Sequence, residues 1–392
     1  MSARTSTDAR GFSLVELLVA LTVSLLVTSA VFAMLDPGHG AFRIQPEQAD
    51  VAQRLRAAAD ALLRDVEGAG GWPFLAEPLP ASALRAAAVL PLRRGRRNAD
   101  PPGTFDSSRL SVWQVTPSAP QARLASALAS SSGTTTIVPG AGCASGDPSC
   151  GFRAGMLVAA FDGSGGVDLF SVTGVSGTAI TLQHNDQDSA HIHAAGRTIL
   201  AVLTARTYFF RHDPALGYGQ VRRYDADGSA DLPVANHVVS LSFEYFGDPE
   251  PPRVVSGAGL QRATYGPLPP QVHEQPTAYP PGENCAFMRT AGGAVASRLP
   301  VLSGSTALVP LSPSLLADGP WCPDDTSPNR YDADLLRVRQ IVATIRVEAA
   351  VDALRGPAGP LFTRAGTGAA PSWVPDRETR IVVAPPALGG GR

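Results

Sequence analysis

The sequence lacks lysine altogether, and its 32 cationic residues, all arginine, are offset by 34 acidic ones. The resulting formal net charge of −2 provides no basic field, so the composition argues against nucleic acid as a nonspecific partner. Aromatic residues make up only 6% of the chain, whereas Gly (39) and Pro (35) are abundant. This balance predicts many turns and loops around an ordered core of modest size.

The common catalytic motifs are also missing. There is no G-x-S-x-G, H-E-x-x-H, P-loop or helix-opening G-x-G-x-x-G in a usable context. The glycine-rich segment from Gly163 to Gly166 lies between predicted strands, so we interpret it as a turn. We therefore expect a protein that is not an enzyme and that has no cofactor.

Cysteine is scarce, and its spacing includes no C-x2-C pair. If the domain lies outside the cytoplasm, the four cysteines allow three disulfide pairings, among which the sequence alone does not choose. Proximity along the chain favours Cys143 with Cys150, and Cys285 with Cys322. Zinc is the competing interpretation, but these spacings fit no common structural zinc site.

Charge is absent from a long apolar run near the N-terminus. No charged residue occurs from Leu17 to Leu35, and the run that begins at Phe12 predicts a helix of roughly 36 Å, enough to cross a hydrocarbon core of ~30 Å. Because Arg4 and Arg10 precede the run, the positive-inside tendency leaves the first residues in the cytoplasm and directs the rest outward.

A single acid, Glu16, lies near the start of this membrane segment. A carboxylate there costs a few kcal/mol unless something neutralises it. The closest cation, Arg10, lies before the predicted helix begins, so the chain supplies no counter-charge from the right face. We therefore expect the partner of Glu16 to belong to another molecule.

The apolar run opens with the segment Gly11-Phe12-Ser13-Leu14-Val15-Glu16-Leu17. This segment resembles the prepilin motif of type IV pilins and type II secretion pseudopilins. The resemblance implies that a prepilin peptidase cuts after Gly11, that the new amine of Phe12 is methylated, and that Glu16 meets the N-terminal amine of a neighbouring subunit. Two other interpretations remain open: a plain single-pass anchor, and a secretory signal whose cleavage would leave a chain starting at Met34.

A second helical pattern follows the membrane segment. Pro37 and Gly38 predict a kink or an end of the first helix within residues 36–40. From Glu47 to Glu67, charged residues such as Asp65 fall largely off one apolar stripe, made of Val51, Leu55, Ala58, Leu62 and Val66. We therefore divide the chain into a leader (1–11), a transmembrane and polymerisation helix (12–35), a kink and amphipathic helix (36–71), and a β-rich head (72–392).

The head shows short alternating runs separated by turn residues, which predict strands. The predicted strands are Thr134–Val138, Met156–Phe161, Val167–Val172, Ala179–Leu182, Thr198–Arg211, Gln220–Tyr224, Val238–Phe246, Arg337–Ala349 and Thr379–Ala384. The predicted fold class is α+β and pilin-like, with the long N-terminal helix packed on an antiparallel sheet. Residues 73–132 and a Pro-rich insertion at about 248–329 fit no pattern and are expected to be long irregular excursions.

Three polar clusters are candidate metal sites. His184, His191 and His193 could ligate a metal, but we favour a solvated loop, because no cysteine or well-placed carboxylate completes the set. The segment Asp225–Asp231 has donors at calcium-like spacing without the terminal glutamate, so we favour a hairpin turn. A further acidic group contains Asp324, Asp325, Asp332 and Asp334. We predict no metal at any of these sites.

The order of predicted strands from Thr207 to Tyr245 resembles the sheet core of PilW-like minor pilins and of J-type pseudopilins. This resemblance implies a minor pilin that primes the pilus or sits near its tip, with partners that are other pilin subunits, the prepilin peptidase and the inner-membrane assembly platform. The head would lie in the periplasm and later at the cell surface. The alternatives are a J-type pseudopilin of type II secretion, and an anchored periplasmic binding or adhesive module that never polymerises.

Overall fold

A computed structural model gives the fold of the chain in segments. For residues 33–43 it gives the backbone alone. The described residues are 13–70, 87–93, 100–101, 103–116, 118–128, 132–140, 143–161, 167–184, 193–225, 230–253, 278–322, 324–327, 330–355 and 373–388.

One long helix, α1 (Leu14–Glu67), forms the N-terminal part of the described chain. The helix continues through residues 36–40 and does not end at Pro37. A proline inside a helix removes one backbone hydrogen bond, and here the helical turns on both sides continue past it. After Glu67 the backbone turns at Gly70, whose φ of 74° lies in the left-handed region that glycine adopts without strain.

The stripe predicted for the amphipathic half of α1 is largely buried. Val51, Ala58, Leu62 and Val66 are almost fully inaccessible, and Leu55 is half-buried. The chain divides into two compact units, residues 1–53 with 348–377 and residues 54–347 with 378–392. The last turns of α1 therefore belong to the same unit as most of the strands.

Strands are the main regular structure of the remaining described chain. The bounds are β1 (Val89–Leu90), β2 (Arg109–Gln114), β3 (Gln121–Leu124), β4 (Ser132–Val138), β5 (Leu157–Phe161), β6 (Val167–Ser176), β7 (Ala179–His184), β8 (Ile199–Val202), β9 (Thr204–Asp213), β10 (Tyr218–Asp225), β11 (Leu232–Asn236), β12 (Val238–Gly247), β13 (Phe287–Arg289), β14 (Val295–Ser297), β15 (Val309–Leu311), β16 (Trp321–Cys322), β17 (Tyr331–Asp332), β18 (Val338–Val347) and β19 (Arg377–Val383). Within the described residues, two short 3-10 segments are Ala333–Arg337 and Asp352–Leu354.

Two antiparallel sheets form the framework of the β-rich region. A five-stranded sheet has the order β1-β2-β9-β10-β11, and a four-stranded sheet has the order β15-β12-β18-β19. In β12, inward residues such as Leu241 and Phe243 are buried, whereas Glu244 faces solvent. The observed architecture is a long helix followed by a mostly β region, which agrees with the predicted α+β class.

A separate closed barrel is inserted between two neighbouring strands of the five-stranded sheet. Its strand order is β3-β4-β7-β6-β5-β8, and antiparallel pairing of β8 with β3 closes it. The chain leaves the sheet after Gln114 and returns at Thr204, and these two residues are cross-strand partners. The barrel has its own hydrophobic core, which includes Leu124, Phe152 and Phe170. The barrel is thus an insertion between two strands that pair with each other.

Two sequence predictions need correction here. The run Thr198–Arg211 was predicted as one strand, but it forms two, because β8 pairs within the barrel and β9 pairs with β2. The segment 73–132 was predicted as irregular, but its described part contains β1, β2 and β3. The first error arises because alternation along one strand carries no information on which distant strand it pairs with.

The Pro-rich insertion separates the paired strands β12 and β18, and its described part contains strands. These strands are β13 to β16; residues 254–277 lie outside the described chain. Arg337, which is fully buried, pairs with Asp334 and donates to four backbone carbonyls: those of Asp248 (3.3 Å), Pro249 (3.2 Å), Glu250 (3.1 Å) and Pro300 (2.5 Å). One guanidinium therefore holds the first residues of this segment and Pro300, within it, against the start of β18.

Candidate functional site: the N-terminal helix and its junction with the sheet

The start of α1 is closed by two reciprocal hydrogen bonds between Ser13 and Glu16. The Ser13 backbone N–H donates to Glu16 Oε2 at 2.9 Å, and the Glu16 N–H donates to Ser13 Oγ at 3.2 Å. This is a capping box, in which the first turn satisfies its own unpaired amides. The S-x-x-E spacing signals this arrangement, and the sequence reasoning missed it.

The capping box does not neutralise Glu16. The Ser13 amide is a neutral donor, so this hydrogen bond supplies no counter-charge at the edge of the apolar segment. The expectation of a counter-charge from another molecule therefore remains a prediction. Gly11 and Phe12, the predicted cleavage and methylation positions, lie outside the described residues, as does the rest of the predicted leader.

The N-terminal part of α1 is apolar, and its side chains are not covered by the rest of the described chain. Leu14–Phe32 has a mean hydropathy of 2.3 and is long enough to cross a membrane, and none of it is buried by the described chain. Side chains such as Leu14 (76% exposed) and Leu26 (71%) face outward. The hydroxyl of Thr28 donates to the Ser24 carbonyl at 2.6 Å, so this polar group is satisfied inside the helix, as a hydrocarbon environment requires.

The last turn of α1 joins the five-stranded sheet through a buried carboxylate. Asp65 accepts a hydrogen bond from the Tyr208 hydroxyl at 2.5 Å and pairs with the Arg206 guanidinium, both on β9. Burial, together with the charge of Asp65, raises the pKa of Tyr208 above its ordinary range, so the phenol remains a proton donor. Asp65 was predicted to lie largely off the buried stripe, and its burial is a correction.

The described cysteines form two disulfides. Cys143 joins Cys150 with a Cα–Cα distance of 4.6 Å, and Cys285 joins Cys322 at 5.1 Å. This is the pairing that proximity along the chain favours. The first disulfide lies at the barrel, and the second connects two parts of the Pro-rich insertion.

The predicted histidine cluster is divided by the structure. His184 and His193 are buried, with 3% and 0% of their side chains exposed, and both face Asp168 on β6. The interpretation as a solvated loop is therefore wrong for these two residues, because the barrel encloses them. His191 lies outside the described residues.

The calcium-like segment follows β10 and precedes β11, which pair antiparallel as a hairpin requires. Its two ends are held by arginines: Asp225 pairs with Arg223 at 3.0 Å, and Asp231 pairs with Arg93 at 2.5 Å. Residues 226–229 lie outside the described chain.

The predicted acidic group is only partly brought together. Asp324 stabilises a local turn, because its carboxylate accepts hydrogen bonds from the backbone amides of Thr326 and Ser327. Asp332 and Asp334 instead lie close to Asp318, with carboxylate oxygens within 4.8 Å of one another. The sequence grouping omitted Asp318, because only the fold brings it to the other two.

The carboxyls of Asp332 and Asp334 titrate far above the ordinary range of aspartate. Burial, with the nearby charges of Asp334 and Asp318, raises the pKa of Asp332 to about 7. Burial also raises the pKa of Asp334 to about 6, although the adjacent Arg337 opposes the shift. The two acids are therefore partly protonated near neutral pH.

Comparison with known proteins places a specific motif at the start of α1. No curated protein matches the chain. Residues 7–32 match the family described as the prokaryotic N-terminal methylation motif, and this range includes Gly11, Phe12, Glu16 and the membrane-length segment Leu14–Phe32. An apolar helix bearing this motif indicates membrane anchoring by a single N-terminal helix. The chain thus carries a prepilin N-terminal methylation motif at residues 7–32, as type IV pilin-like prepilins do.

Proposed function

We propose that the protein is a minor type IV pilin, a non-catalytic subunit that primes the pilus or sits near its tip and supports its assembly. The observation that carries this proposal is the bare apolar surface of Leu14–Phe32 beside a prepilin methylation motif. Such a surface fits a lipid environment before assembly and other apolar helices within a fibre.

In this proposal, Glu16 determines how the N-terminal helices of neighbouring subunits align. Its carboxylate is exposed at the first turn of α1, and the capping box holds it there. After a prepilin peptidase has cut behind Gly11, the freed and methylated amine of Phe12 on a neighbouring subunit would neutralise this acid. The pair would fix how far one helix is displaced along another, because a mismatched register leaves a charge in an apolar surrounding.

The size of the β-rich head supports a place near the tip. Both framework sheets carry large insertions, the barrel between β2 and β9 and the Pro-rich segment between β12 and β18. Repeating such a head along a shaft would crowd it, whereas the end of a fibre leaves room. In this proposal the precursor is anchored in the inner membrane with its head in the periplasm, where the assembly platform receives it.

Two substitutions at the start of α1 test the role of the charge. Glu16→Gln removes the charge but keeps a side chain suited to the capping box, whereas Ser13→Ala removes the capping hydroxyl and keeps the charge. We expect Glu16→Gln to insert into the membrane normally and to lose at least about tenfold of its incorporation into sheared fibres, the equivalent of 1.4 kcal/mol. Ser13→Ala should incorporate nearly as the unmodified chain does.

The measurement compares the amount of each variant in the fibre fraction and in the membrane fraction by immunoblot. N-terminal sequencing of the mature chain accompanies it and should begin at Phe12. Normal incorporation of Glu16→Gln would refute the role of the charge, and absence of the unmodified chain from the fibre fraction would favour an anchored module that never polymerises. A mature chain starting at Met34 would mean that the N-terminal segment is a secretory signal, and it would end the proposal.

A further inference from the structure

One face of the amphipathic half of α1 carries a row of charges of alternating sign. Arg56, Asp60 and Arg64 follow one another at intervals of four residues, and all three are exposed. Because an α-helix turns by about 100° per residue, these side chains lie within an arc of about 80°. The arc is opposite the buried face that includes Leu62 and Val66. We call Arg56, Asp60 and Arg64 the charged stripe.

The charged stripe has no partner within the part of the chain that the structure describes. None of its three side chains makes an ion pair or a hydrogen bond there. Asp65, one residue after the stripe, behaves differently, since it is buried and pairs with Arg206 on β9. The helix therefore attaches to the sheet through Asp65, and the charged stripe faces away from that contact.

The alternation makes the charged stripe complementary to a displaced copy of itself. Copies that are anchored by the same N-terminal membrane segment have their α1 helices running in the same direction. With no displacement, or with one of eight residues, like charges oppose each other. With a displacement of four residues, Arg56 of one copy faces Asp60 of the other, and Asp60 faces Arg64. Arg64 then lies next to Glu67, which is also exposed.

We propose that the charged stripe is the surface on which a second copy of this chain packs, with its α1 parallel and displaced by four residues. This displacement amounts to about 6 Å along the helix axis. The inference rests on the proposed function, in which Glu16 of one subunit meets the amine of Phe12 on its neighbour. That contact is also offset by four residues, 16 minus 12. Two charge patterns on the same helix thus specify the same displacement.

The competing account is a solvated helix face whose charges interact only along their own helix. Residues four apart on a helix are close enough to pair, yet Arg56 and Arg64 make no ion pair with Asp60 in this structure. Both accounts require exposed charges of mixed sign. A contact between copies also requires one particular register, and a solvated face requires none.

Disulfide cross-linking measures the register. Gln53 and Ala57 are exposed, lie beside the charged stripe and are themselves four residues apart. Gln53→Cys and Ala57→Cys are placed on two differently tagged copies of the full chain, which are expressed together and oxidised in the cell. The described native cysteines are all in disulfides and do not compete. We expect the mixed pair to cross-link at least about tenfold more than either variant with itself, because self-pairs require zero displacement.

Charge reversal tests whether the stripe sets this register. Asp60→Arg makes all three charges positive and should reduce the mixed cross-link by at least about tenfold, since juxtaposed like charges are strongly unfavourable. Adding Arg56→Asp and Arg64→Asp to the same chain inverts every sign, restores the alternation and should restore the cross-link. Arg211→Asp changes an exposed arginine on β9 and should leave the yield unchanged.

The fibre fraction separates this inference from the proposed function. Absence of the unmodified chain from fibres would refute the proposed function itself. Presence in fibres without the mixed cross-link, or with equal yields for the mixed pair and the self-pairs, would overturn only the packing of a second copy. Failure of the inverted stripe to restore the cross-link, in a chain that reaches the membrane normally, would also overturn it.

Discussion

Replacing Asp65 by alanine should loosen the junction between α1 and the five-stranded sheet. Asp65 lies in the last turn of α1, where the helix dipole disfavours a negative charge, and its side chain is only 4% exposed. Its position therefore depends on the two donors from β9, the Tyr208 hydroxyl and the Arg206 guanidinium. Alanine removes the acceptor of both.

The expected loss is about 2–4 kcal/mol in the free energy of unfolding. Hydrogen bonds to a charged group contribute roughly 1.5–3 kcal/mol each, and a buried group left without a partner adds to the loss. Here both donors keep a second acceptor: the Tyr208 hydroxyl lies 3.1 Å from the Ala61 carbonyl, and Arg206 lies 3.5 Å from Asp225. The cost should therefore stay below the sum of two fully broken charged bonds.

The assay is urea unfolding of the full chain in detergent, followed by tryptophan fluorescence. Trp113 on β2 is a suitable reporter, because it is buried and pairs with Ala205, the residue before Arg206. Asp60→Ala is the matched control: Asp60 lies on the same helix but is exposed, so its replacement should change stability by less than about 0.5 kcal/mol.

A double-mutant cycle separates the hydrogen bond from general damage. Tyr208→Phe alone should cost about 1–2 kcal/mol, and in the Asp65→Ala background it should cost clearly less, since the two groups touch. Equal losses for Asp65→Ala and Asp60→Ala, or strictly additive effects of Asp65→Ala and Tyr208→Phe, would refute the reasoning.

Two further predictions concern the start of β18. Because the pKa values of Asp332 and Asp334 are raised, the folded chain binds more protons there than the unfolded chain does, so these groups make stability fall as pH rises from about 4 to above 7. Asp318→Asn removes an exposed like charge and should raise the urea midpoint at pH 8 but hardly at pH 5, and equal shifts at both would contradict this. Arg337→Lys should cost about 3–5 kcal/mol, because an ammonium group does not reproduce five partners of a planar guanidinium. Hydrogen exchange should then accelerate in residues 278–302, and unchanged protection there would refute this role.

Features with a regular sequence period were predictable. The apolar run and the repeat of apolar residues predicted the two helical stretches of α1, but not that they form one helix through Pro37, and alternation located strands such as β12 and β18 to within a few residues. These signals are local, since each residue reports only on the face that it presents. The capping box of Ser13 and Glu16 was equally readable from its spacing.

The remaining features depend on which distant segments meet. Closure of the barrel required pairing of β3 with β8, which no alternation within either strand specifies. Periodicity also treats a charge as solvent-facing, and so it misplaced Asp65, whose burial depends on an arginine that lies far along the chain on β9. His193 was misread for the same reason, because its enclosure depends on β6.

The point at which the barrel leaves the sheet has a consequence for how such a head can diversify. Gln114 and Thr204 sit opposite each other, so a tight turn could span the gap and leave β2 and β9 as a simple hairpin. The barrel could therefore be gained, lost or exchanged without a change in the pairing of β2 with β9. Natural variation could thus replace the barrel carried by this head while the pairing of β2 with β9 is retained.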